Sequence, residues 1–234
     1  VRLPIEAPLR GRLVRRYKRF FADVEIQQAG RARTLTVHCP NPGSMRGCAI
    51  PGAAVRCSTS DAPHRKLRHT LEMIRIGRAW VGLHTGRANA VAERALRAGA
   101  LPELSGWDEI QPEVRTGDSR LDFRLRGAAG ETWLEVKSVT LAEGSLALFP
   151  DSVTERGRRH LETLMALRRR GARAALLFLV QRADCDRVAP ADDIDPAYGR
   201  TLRRAVRRGV EVYALGARVT GRFIRVERRL PVLL

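Results

Sequence analysis

Apolar and polar positions alternate with a period of two through the first third of the chain. Phe21, Asp23 and Glu25 fall on one side and Ala22, Val24 and Ile26 on the other, as in a half-buried strand. The same pattern predicts strands over 11–17, 20–27, 34–38, 53–58, 70–76 and 78–84. Turn residues separate them: Gly30, the run Pro40-Asn41-Pro42-Gly43-Ser44, Pro51-Gly52 and Gly77. Short strands packed this closely predict a small barrel or sandwich. Near Thr85-Gly86 the pattern changes. Residues 89–98 read as a helix with Val91, Ala95 and Leu96 on one face and Gly99 as its stop. Residues 110–139 return to strands. A second helix is predicted from Ser152, where Ser152-Val153-Thr154-Glu155 has capping-box spacing, to Gly171. Residues 174–180 form an unbroken apolar run suited to a buried central strand. An arginine-rich third helix over 196–208 and strands over 210–215 and 222–226 complete the chain. The prediction is an α/β protein (α+β overall) of two domains, 1–84 and 85–234, without repeats or a long linker.

Composition narrows the class. The chain has 234 residues, 44% apolar and 29% charged, which suits one large or two small globular domains. No apolar run is long enough to span a membrane. No signal-peptide pattern opens the chain, since Val1 to Arg16 holds five arginines and no apolar core. Cys39, Cys48, Cys57 and Cys185 form no C-x-x-C pair. Free thiols in a reducing compartment, hence the cytoplasm, are expected.

Charge adds a partner. The net charge is +18 at a pI near 11.3, the footprint of a polyanion binder. Residues 1–84 hold 16 basic and 5 acidic side chains, so the first domain is the more basic per residue. Arg15, Arg16, Lys18 and Arg19 interleave with Tyr17 and Phe20, a pattern suited to a nucleic-acid groove. The Asn41–Met45 run reads equally as a phosphate-binding loop and as a plain turn. Of 43 basic residues only Lys18, Lys66 and Lys137 are lysines. Where arginine is so favoured, a retained lysine draws notice, because its compact charge and shiftable pKa differ from arginine's fixed fork.

Lys137 lies in the segment that concentrates chemistry. Arg120-Leu-Asp122-Phe and Leu134-Glu135-Val136-Lys137 read as two strands joined by a turn at Gly127-Ala-Ala-Gly130. A symmetric hairpin sets Asp122 opposite Glu135 and Arg120 opposite Lys137. Facing residues have Cβ atoms roughly 4.5–5.5 Å apart, and like charges at that distance repel. Two facing carboxylates favour a cation between them. Magnesium, or manganese, suits such an oxygen-only site completed by water and phosphate. Lys137 beside it would orient or deprotonate a water, or steady a developing charge. This is equipment for phosphodiester hydrolysis. The alternative is a solvated hairpin face whose charges pair among themselves.

These segments are also where the chain resembles the sugar fermentation stimulation protein family, SfsA. The likeness is carried by Arg16-Tyr-Lys-Arg-Phe20, Asn41-Pro-Gly-Ser-Met45, Ser119-Arg-Leu-Asp-Phe123, Glu135-Val-Lys-Ser-Val-Thr-Leu141 and Phe149-Pro-Asp-Ser-Val-Thr-Glu-Arg-Gly157 running on to His160-Leu161. It extends to Leu230-Pro-Val-Leu-Leu234. The resemblance implies an N-terminal OB-like barrel and a PD-(D/E)XK nuclease-like domain with a mixed central sheet flanked by helices. It also implies DNA binding and a regulatory part in sugar metabolism. Within the nuclease pattern Asp122 would be the first acidic ligand, with Glu135 and Lys137 as the E-x-K element. Glu93 would be an additional helical metal ligand, and Gln181 a polar residue near the site. Arg156 and His160 share a helix face and suit phosphate contact there, or His160 packs against the sheet.

DNA binding of low sequence specificity ranks first. An active magnesium-dependent nuclease and an RNA-binding module follow, and a membrane-surface role ranks last. The oligomeric state is not legible.

Overall fold

The computed structural model describes residues 1–128 and 130–234. Strands β1 (Arg2–Pro4), β2 (Leu9–Tyr17), β3 (Phe21–Gln28), β4 (Arg31–His38), β5 (Ala54–Thr59), β6 (His69–Ile76) and β7 (Ala79–Gly82) come first. Strands β2 to β6 close into an OB barrel. The ladder order is β4-β3-β2-β5-β6, and a parallel pair between His38 and Thr70 joins β4 to β6. Alternation works as predicted: Leu13, Ala22, Val24, Ile26, Val37, Val55 and Leu71 fill the interior. Asp23 is also buried, because Arg15, Tyr17 and Thr36 all hydrogen-bond its carboxylate. All four cysteines are free and buried.

Helix α1 (Gly86–Arg97) then leads into β8 (Glu109–Thr116), β9 (Ser119–Gly127) and β10 (Gly130–Val139). Next come β11 (Leu141–Glu143), β12 (Leu146–Phe149), α2 (Glu155–Arg169), β13 (Arg173–Val180) and β14 (Arg187–Pro190). Helix α3 (Pro196–Arg207), β15 (Glu211–Val219) and β16 (Phe223–Arg229) complete the fold. The main sheet has seven strands in the order β1-β16-β15-β13-β10-β9-β8. β10, β13 and β15 run parallel at its centre, and the flanking pairs are antiparallel. β13, apolar and buried on both faces after Arg173, is its middle strand. Helix α1 covers one face through Ala88, Val91, Ala92 and Leu96. Helices α2 and α3 cover the other through Leu161, Leu164 and Leu202. β11, β12 and β14 form a small separate sheet.

The first strand departs from the expected division. Arg2–Pro4 pairs with β16 at the edge of the main sheet, so the chain starts on the second domain before entering the barrel. Leu3 and Ile5 pack into that domain's core, which explains the placement. Helix α1 begins at Gly86 rather than 89. Helix α2 is capped by Thr154, whose hydroxyl accepts from the Gly157 N–H at 3.0 Å, and not by Ser152. The Thr154 N–H donates to Asp195 at 2.9 Å, which holds residue 154 outside the helix as its cap. Among the described residues no helix is long and apolar enough to cross a membrane.

Candidate functional site

The hairpin of β9 and β10 has the register expected from its turn. Gly127 pairs with Gly130, and the ladder runs regularly to Phe123 opposite Leu134. Beyond that pair a side chain takes over: the Asp122 carboxylate accepts the Val136 main-chain N–H at 2.7 Å. Its other oxygen accepts from Asn89 Nδ2 of α1, also at 2.7 Å. Burial, reinforced by the negative charge of Glu135, pushes the Asp122 carboxyl up to about 6.

Glu135 is more deeply enclosed, at 3% exposure. Lys137 Nζ donates to its Oε1 at 2.6 Å, and His160 Nδ1 contacts the same oxygen. Burial works against the Glu135 charge, but the ammonium of Lys137 and the hydrogen bond from His160 outweigh it, so its pKa lies below the ordinary value. Arg156 Nε donates to His160 Nε2 at 3.4 Å, which leaves Nδ1 as the protonated nitrogen facing Glu135. α2 sets this geometry, because residues 156 and 160 are one turn apart. The helix thus delivers one polar pair to the sheet while its apolar positions pack beside them. His160 is both packed against the sheet and part of the cluster.

One atom in the cluster is unmatched. Glu135 Oε2 is buried and has no hydrogen-bond partner. A buried carboxylate oxygen without a donor is costly, and a hard divalent cation would satisfy it. Among the described residues no group of three or more His, Cys, Asp or Glu side chains is arranged to hold a metal ion, His160 being turned onto Glu135. The donor set is therefore a carboxylate pair, Asp122 and Glu135, which suits a cation that keeps part of its water shell.

The pair opens into a cleft of about 560 Å³ between the two domains. Arg19 and the Asn41–Gly43 loop reach it from the barrel, Asn89 from α1, and Arg156 and His160 from α2. The loop is fixed across the junction: Met45 N–H donates to Asp151 at 2.8 Å and Ser44 Oγ to the Asp151 carbonyl at 2.5 Å. Arg16 lies beneath it and donates to the carbonyls of Asn41, Gly43 and Ser44 at 2.8, 2.7 and 3.2 Å.

The cleft therefore gathers Asp122, Glu135, Lys137, Arg156, His160 and Arg19. Other expected residues lie elsewhere. Arg120 does not face Lys137; it pairs with Arg115 on β8 and forms an ion pair with Glu113, because the β9–β10 ladder ends at Phe123 and only β8 accompanies β9 at that point. Glu93 does not reach the cleft. It forms an ion pair with Arg97 at 2.8 Å, and Asn89, one turn earlier on α1, takes the place beside Asp122. The extra turn from Gly86 sets Asn89 inside the helix, where its amide reaches Asp122. Gln181 is fully buried outside the cleft, where its amide donates to Ser138 Oγ at 2.8 Å and its main-chain carbonyl accepts from Gly82 of the barrel. Arg15 is held by Asp23, Arg16 by the loop carbonyls, and Lys18 is an exposed turn residue with positive φ.

Two family models match this chain. Residues 14–83 match the family model described as the SfsA N-terminal OB domain, and residues 86–223 the sugar fermentation stimulation protein RE domain. The sugar fermentation stimulation protein homolog of Syntrophotalea carbinolica is 52% identical over 99% of this chain and 100% of its own. The homolog of Geobacter sulfurreducens is 50% identical over 95% of each chain. The solved structure of Pyrococcus furiosus SfsA in complex with Ca2+ superposes with a TM-score of 0.89 at 29% identity, covering 98% of both chains. Sequence, fold and domain order together make this chain a member of the SfsA, or sugar fermentation stimulation protein, family.

Proposed function

We propose that this protein binds DNA along the inter-domain cleft, and that Asp122 and Glu135 hold a magnesium or manganese ion there for phosphodiester hydrolysis. The carrying observation is the buried, unpartnered Glu135 Oε2 beside an Asp122 carboxyl raised to about 6. A Ca2+ complex of the Pyrococcus relative supports it, since calcium and magnesium both seek oxygen ligands. A bound divalent ion supplies Lewis-acid polarisation of a phosphoryl oxygen and a more acidic water. The chain's own groups do the rest. Arg19 and Arg156 neutralise backbone phosphate at the cleft walls. Lys137 is the cation placed to orient a water or steady the developing negative charge, and His160 fixes Glu135 from behind. With few aromatic residues, contacts are to phosphate, so binding is salt-sensitive and weakly sequence-specific. In this reading the regulatory part in sugar metabolism is carried by DNA binding. The buried free thiols suit the reducing cytoplasm.

The test is cleavage of supercoiled plasmid and labelled single strands with magnesium or manganese, comparing wild type with Asp122→Ala and Lys137→Ala. Cleavage by wild type alone supports the reading. Binding without cleavage removes the hydrolytic part and leaves a DNA-binding protein on a nuclease scaffold. Affinity indifferent to salt, or preference for RNA in competition, overturns DNA binding.

A further inference from the structure

The arginine-rich third helix lies away from the cleft. Its N-terminus adjoins that of α2, because Asp195 caps α3 and also accepts from Thr154 N–H and Arg158. Further along, Arg204 pairs with Glu162. The two helices therefore run parallel, with a groove of roughly 20 Å between them at 1.5 Å rise per residue. The groove holds adjoining hollows of about 560 and 250 Å³ that share Glu162 and Arg204.

Its charge exceeds the chain's general arginine bias. Eight of the twelve lining residues are arginine and one is acidic, against 40 arginines in the 234-residue chain. The nearby acids are already used: Asp195 by Arg158, Asp192 by Arg203 and Glu162 by Arg204. Among the described residues Arg200, Arg207 and Arg208 are exposed and form no ion pair. A helix C-terminus favours cations in its last turn, which accounts for Arg207 and Arg208 but not for Arg200 near the other end. No aromatic side chain lines the groove, so it offers no stacking platform for unpaired bases. What it offers is a row of guanidinium forks that match phosphate oxygens.

We propose that the groove between α2 and α3 is a second track for the phosphate backbone of duplex DNA, separate from the cleft. The inference rests on the DNA-binding reading above and gives the protein a longer footprint than the cleft provides. Arg156 lines the cleft and Arg158 the groove; two positions apart on α2, they project to opposite sides of its first turn, so that helix end separates the two tracks.

The test is the salt dependence of duplex binding by wild type, by Arg200→Ser/Arg207→Ser/Arg208→Ser, and by Lys137→Ala in the cleft. Each lost phosphate contact flattens the slope of log K against log salt by roughly 0.9, so the groove variant should be shallower by roughly 2.7. Lys137→Ala should change the slope by no more than about one contact. A groove variant with the wild-type slope overturns the second track and leaves cleft binding standing. Absence of duplex binding by wild type overturns both. The three arginines are exposed and make no side-chain hydrogen bond among the described residues, so the variant should stay folded, with a melting temperature lower by no more than a few degrees for the lost charges at the end of α3.

Discussion

Asp122→Asn should make this protein more stable. The Asp122 carboxyl is raised from its ordinary 3.8 to about 6, first by burial and then by the negative charge of Glu135. The folded state therefore binds more protons than the unfolded state between those pH values, and stability falls as pH rises through that window. A shift of about two units at about 1.4 kcal/mol each places the cost near 3 kcal/mol at neutral pH. Asparagine removes the charge. It also has only one carbonyl oxygen for two donors, Val136 N–H and Asn89 Nδ2, which costs about 1 kcal/mol. The net expectation is a gain of about 2 kcal/mol at alkaline pH that disappears toward pH 4. Urea unfolding in a chelator across that pH range measures it, with Glu135 present in both proteins. A variant no more stable than wild type at alkaline pH, or a difference that ignores pH, refutes the argument. The same assay addresses the cation. Magnesium at a hundred times its Kd should stabilise wild type by about 2.7 kcal/mol and leave the variant nearly unchanged. Wild type indifferent to both magnesium and manganese would remove the metal site.

Three further outcomes follow from the geometry. Glu93→Gln should leave divalent-ion affinity, measured by calorimetry, within about twofold, whereas Asn89→Ala should weaken it about tenfold by freeing the Asp122 carboxylate. Arg16→Ala should cost about 2–3 kcal/mol in chemical denaturation, because three loop carbonyls lose one charged donor; Arg16→Lys, lacking the fork, should restore less than half. Asp195→Ala should cost about 3 kcal/mol at neutral pH, since one buried carboxylate serves Tyr198 N–H, Thr154 N–H and Arg158. Burial opposes the Asp195 charge but those main-chain donors hold its pKa below the ordinary value, so this contribution is present above that value and should fade as acid protonates it.

Much of this was legible in the chain itself. Side-chain alternation identified the barrel strands to within about three residues, because each strand has one face on a core and the other in water. The unbroken apolar run of β13 marked the middle of a sheet buried on both faces. The turn at Gly127–Gly130 set the hairpin register, and with it the approach of Asp122 to Glu135. Residue identity and local spacing suffice for these, since strand and turn geometry are short-range.

Tertiary structure decided which side chains share the cleft. Asn89 rather than Glu93 meets Asp122, because the packing of α1 on the sheet sets its level along the hairpin, and one turn is a displacement of 5.4 Å. His160 reaches Glu135 across 25 positions of chain because α2 returns over the face from which Glu135 projects. Arg16 looked like a free nucleic-acid contact; a fold that closes the Asn41–Ser44 loop above it makes it a structural donor. Arg2–Pro4 joins the far sheet because β16, at the other end of the chain, offers an open edge. In each case the partner is distant in sequence, and no local pattern carries the coordinate that brings the two together.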